Sequence, residues 1–89
     1  MDTENLNPHR DAMLKRLARV EGQIRGIQAM IRRDADCEAI AQQFSAARGA
    51  LDKAYQELLS CLIEEAVLDP TGDPEQVLQR VRHLFAKYA

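Results

Sequence analysis

From Cys37 to Val67 the chain runs without a proline, and its apolar residues hold one spacing throughout. Ile40, Phe44, Ala47, Leu51, Ala54, Leu58 and Cys61 recur in alternating steps of four and three, with Tyr55, Leu59 and Leu62 beside them. That spacing predicts a helix packed along its whole length. At 1.5 Å per residue it forms a rod about 45 Å long. The chain has 89 residues, whereas a compact monomer of that size has a radius of gyration of roughly 12 Å. One chain cannot wrap such a rod, so the stripe predicts association with a second copy.

A second long helix precedes it. Asn7-Pro8 reads as an N-cap followed by proline at the first helical position. Met13, Leu17, Val20, Ile24, Ile27 and Ile31 then repeat the same steps, and the helix is expected to end near Arg33. Ala18, Gly22, Gly26 and Ala29 add a stripe of small residues. Each glycine costs roughly 1 kcal/mol in a helix interior, so the pair predicts a close approach by another backbone. Asp34-Ala35-Asp36 is the only break, with Asp36 capping the second helix. After the Asp69-Pro70-Thr71-Gly72 turn, Asp73 and Gln76 have the spacing of a capping box. Val77, Leu78, Val81, Leu84, Phe85 and Tyr88 give that third helix an apolar face. The expected fold is all-α, a three-helix protomer forming a single domain over residues 1–89.

Tryptophan is absent, so leucine, isoleucine, valine and alanine must build the core. No apolar run is long enough to span a bilayer. The polar start, with Asp2 and Glu4, is not that of a secretory leader, and two cysteines suit reduced thiols in the cytoplasm. The net charge of −2 hides an asymmetry: seven basic residues against three acidic ones between Pro8 and Asp34 give +4, against −6 elsewhere. Lys15, Arg16, Arg19 and Arg25 belong to that basic segment, which is either a solvated helix face or the footprint of an anionic partner. There is no acid–base pair, phosphate loop, nucleophile elbow or zinc-finger spacing, so the chain is not expected to be an enzyme.

Cys37 stands just after the cap of the second helix, where unpaired backbone N–H groups favour a thiolate; Asp34, Asp36 and Glu38 oppose it. It is either an inert small residue or a sensor. Cys61 lies on the same helix, about 36 Å away if the helix is straight, beyond the 4.4–6.8 Å between Cα atoms of a disulfide. An antiparallel copy could bring the partner's Cys61 opposite Cys37, with the dyad at Gly49 beside Ala50. Cys61 is otherwise core filler. His9, at the start of the first helix, is a weak candidate metal ligand and more plainly a surface residue.

The run Arg16-Leu17-Ala18-Arg19-Val20-Glu21-Gly22-Gln23-Ile24-Arg25-Gly26-Ile27, followed by Cys37, Ala41-Gln42-Gln43 and Ala47-Arg48-Gly49-Ala50-Leu51, closely resembles the CsoR/RcnR-type repressors. That family contains copper, nickel or cobalt, formaldehyde and persulfide sensors. The resemblance covers about Arg10 to Val67. It implies an antiparallel four-helix dimer, a tetramer of two such dimers, and repression at operator DNA relieved through the cysteine. It also implies that Arg16, Arg19, Arg25 and Arg48 contact phosphate. The metal-sensing members carry a second ligand 25 positions after the cysteine, a third four residues further, and one 32 positions before it. Here those positions are Leu62, Ala66 and Asn5. Cys37 and the displaced Cys61 are then the candidate ligands, a poor set for Cu(I) or Ni(II). The formaldehyde sensors have proline after the first methionine, where this chain has Asp2. Thiol modification by a reactive sulfur species is therefore the leading signal. A metal or an aldehyde is the alternative, and a DNA-free helical adaptor is the reading from another class.

Overall fold

A computed structural model describes residues 7–89 as three α-helices: α1 (Pro8–Arg32), α2 (Cys37–Val67) and α3 (Pro74–Tyr88), with no strand among the described residues. The caps fall where the sequence puts them. The Asn7 side chain accepts from the Arg10 N–H at 2.8 Å, and Asp36 accepts from the Ala39 N–H at 3.3 Å. Asp73 and Gln76 close a reciprocal capping box at the start of α3. α1 ends in a Schellman motif: the Ala35 N–H reaches the Met30 carbonyl at 2.9 Å, and the Asp34 N–H reaches Ile31 at 3.1 Å. Asp34 takes the left-handed position with φ 56°, which glycine usually fills.

α1 and α2 form an antiparallel hairpin, and α3 folds back on the C-terminal half of α2. Tyr55 of α2 donates its hydroxyl to the Tyr88 carbonyl at 2.7 Å, tying the two together. The result is a slab one helix thick, 57 × 33 × 11 Å, with a radius of gyration of 17.9 Å. That is well above the roughly 12 Å of a compact chain this long.

Each apolar stripe read from the sequence divides into two seams. Val20 and Ile27 of α1 and Ala47, Ala54 and Cys61 of α2 are buried at seven-residue intervals. Leu17, Ile24 and Ile31 and, on α2, Phe44, Leu51 and Leu58 lie exposed between them. The division follows from having one neighbour: a single partner helix covers only one side of each stripe. Small residues on α2 let α1 come close, but they bring less than the about 1.5–3 kcal/mol of a buried valine, leucine or isoleucine. Leu84 is the only other core residue described, and Phe44 and Leu51 are each 50% exposed. The protomer alone has a thin core.

The close approach expected at the glycines is not made within the chain. A Cβ added at Gly22, Gly26 or Gly49 would meet nothing within 4 Å, so each position opens onto free space. No described helix is long and apolar enough to cross a membrane.

Candidate functional site

Cys37 is the first residue of α2, directly after its Asp36 cap, and its thiol is free and exposed. Along α2 it shares the outer side with Phe44, Arg48 and Tyr55, at successive intervals of seven, four and seven residues. Cys61 is free as well but buried, only 6% exposed, on the seam that faces α1. It donates a weak hydrogen bond to Glu65 at 3.7 Å. Burial pushes the Cys61 thiol above its ordinary range, and the charge and hydrogen bond of Glu65 push it further. In projection down the helix the two cysteines stand about 120° apart, since each residue turns the chain by about 100°. Leu62 and Ala66, by contrast, lie within about 20° of Cys37.

His9, expected as a surface residue, is held between two carboxylates. Its Nδ1 lies 2.8 Å from Glu57 and its Nε2 2.7 Å from Glu64, and its side chain is only 22% exposed. With an acceptor at each ring nitrogen, the doubly protonated imidazolium satisfies both contacts. The His9 pKa is raised above the ordinary 6.5, first by the bond to Glu57 and then by that to Glu64. The first turn of α1 is thereby clamped to α2, and His9, Glu64 and the buried Cys61 lie around one cleft with Glu65 and Asp69.

No group of three or more His, Cys, Asp or Glu side chains among the described residues is arranged to hold a metal ion. His9 spends both nitrogens on carboxylates, Cys37 has no second donor on its side of α2, and Leu62 and Ala66 carry no side-chain donor atom. Asn5 and Asp2 lie outside the described residues. The described donors of one chain do not fit a Cu(I) or Ni(II) site, each of which needs several thiolate or nitrogen ligands.

The basic residues occupy both sides of the α1–α2 hairpin. Arg16 and Arg19 line a cleft with Gln23, Ala46, Gly49, Ala50 and Lys53. Lys53 was missed in the sequence, where Asp52 precedes it in the acidic part of the chain. Arg48 instead lines an open apolar groove of about 870 Å³ with Met13, Leu17, Gly49, Leu51, Tyr55 and Leu58. Lys15 is paired with Asp11 at 3.0 Å and Arg25 loosely with Glu21 at 3.9 Å. One side of the hairpin is therefore largely apolar, with Arg48 at its groove, and the other carries Arg16, Arg19 and Lys53, which have no ion-pair partner among the described residues.

A thin helical slab with a basic cleft, an uncovered apolar side and an accessible thiol has the parts of a DNA-binding regulator. The model of the family described as "metal-sensitive transcriptional repressor" matches residues 9–87, and the chain belongs to that family of non-enzymatic regulators. It is 36% identical over 81 residues to the copper-sensing transcriptional repressor CsoR of Bacillus subtilis (strain 168), covering 89% of this chain and 80% of that one. It is 28% identical over 79 residues to an uncharacterized protein in the bioA 5' region of Serratia marcescens, covering 86% and 87% of the two. The resemblance read from the Arg16–Ile27 run is confirmed, and between repressor and DNA-free adaptor the family decides for the repressor.

Proposed function

We propose that this repressor is switched through Cys37 by a reactive sulfur species, with one helical domain serving both as sensor and as DNA-binding unit. The observation that carries the reading is the position of Cys37: an exposed thiol at the start of α2, on a side with no second metal donor. The thiolate attacks one sulfur of a polysulfide such as HS–SH. The S–S bond breaks, Cys37 is oxidised to the persulfide, and the other sulfur leaves as hydrosulfide. The thiol that reacts stands at the head of the exposed stripe formed by Phe44, Leu51 and Leu58, so the modification falls on the side of α2 that carries the apolar groove.

A second copy covers that groove in our reading, as a dimer and, in the family manner, a dimer of dimers. The exposed Leu17, Ile24, Ile31, Phe44, Leu51 and Leu58 support this, as does the thin core of the single chain. Operator DNA lies on the basic side, against Arg16 and Arg19, with Arg25 as a further contact carried from the family motif and Lys15 as one from the basic segment; Arg48, which the motif also offers, lines the apolar groove instead. Altering the packing of the copies changes the spacing between their basic sides and releases DNA. Cys61 takes no part in the first step, being buried and about 120° round the helix from Cys37.

Copper is the second reading, favoured by the 36% identity to a copper-sensing repressor. The operator complex exposed separately to polysulfide, Cu(I) and formaldehyde distinguishes the signals. Release by polysulfide alone, with one added sulfur on the Cys37 peptide by mass spectrometry, is the expected result. Release by Cu(I) alone would put a shared metal site between copies in place of thiol chemistry.

A further inference from the structure

The geometry points to Lys53 as a DNA-phosphate contact, extending the basic surface of α1 onto α2. The inference rests on the DNA-facing role proposed above for Arg16 and Arg19. Those two arginines and Lys53 line one cleft, and Arg16 and Lys53 line a second beside it with Glu57. No carboxylate among the described residues lies within ion-pair distance of Arg16, Arg19 or Lys53, whereas Lys15 and Arg25 are paired. Three free cations thus converge across the seam of the hairpin. The floor between them is Ala46, Gly49 and Ala50, short enough for a bulky anion to approach the α2 backbone. Gln23 closes the same cleft, and its buried Oε1 has no hydrogen-bond partner.

Lys53 and Leu51, two residues apart, project to nearly opposite sides of α2. The lysine therefore stays clear of a copy seated on the apolar groove. A phosphodiester backbone suits this arrangement better than a single small anion, because the cations are spread over two helices in a row. The lysine would neutralise one phosphate without reading a base.

Operator binding measured over a series of salt concentrations tests this, with circular dichroism and sedimentation confirming that each variant folds and assembles. Lys53→Ala should weaken binding to operator and to unrelated DNA by the same factor. Its salt dependence should become shallower by about 0.9 in log–log slope for each Lys53 that meets the duplex. Lys53→Arg should keep the slope, and Lys87→Ala, at the far end of α3, should leave both quantities unchanged. If Lys53→Ala retains affinity and slope while Arg16→Ala loses them, the lysine is no contact, although the DNA-facing side stands. If neither variant changes the slope, the basic side itself has been misassigned and the Lys53 inference falls with it.

Discussion

Cys37 and Cys61 show how much a single position matters on a helix. Family ligands at positions 62 and 66 would share the Cys37 side of α2, while a cysteine at 61 turns by about 100° into the seam with α1. The displacement was plain in the sequence, but its consequence was not, because the stripe of seven residues contained both sides. Which side is buried depends on where α1 packs, and no local pattern states that. The two thiols should differ accordingly in reactivity. With iodoacetamide under native conditions, Cys37 should label readily and Cys61 only slowly, with both labelling at comparable rates in denaturant. Equal native rates, read peptide by peptide, would contradict the burial of Cys61. A covalent link from Cys37 to the partner's Cys61, expected from the spacing alone, requires the seam to open first.

Element boundaries were largely readable, since caps are local chemistry. Asn7, Asp36 and Asp73 each bond the backbone N–H three residues on, and the Asp34 turn closes α1. Contacts between elements were less so. Folding the hairpin about Asp34 and Ala35 brings Arg16 level with Lys53 and His9 level with Ser60, between Glu57 and Glu64. That simple register would have found both residues. The His9 clamp has a pH signature. Its folded pKa is raised above the unfolded 6.5, so its contribution to stability is full below 6.5 while both glutamates stay ionised. It disappears as pH rises through the folded value. His9→Ala should therefore lower the melting temperature most near pH 5.5–6 and little in the alkaline range. A melting-temperature difference that grows with pH would show that His9 is not held as the cation.

At the scale of the whole molecule, the rod length predicts association, and the single chain is a slab 11 Å thick whose apolar side is left uncovered. Its two sides differ in kind: an apolar groove bordered by Arg48 on one, and Arg16, Arg19 and Lys53 together on the other. In the proposed arrangement a second copy and DNA take opposite sides, a division of charge that the net value of −2 conceals. Leu51→Asp, placing a charge in the groove, should shift sedimentation at micromolar concentration toward the single chain; an unchanged oligomer would move the interface elsewhere. Coupling between the two sides is the centre of this account, and Cys37 is the group through which it is worked. The most direct measurement is operator binding by the parent and by Cys37→Ser before and after polysulfide. Equal binding is expected beforehand, release of the parent alone afterwards, and recovery of the parent on reduction. A Cys37→Ser protein that releases DNA as readily as the parent would contradict it.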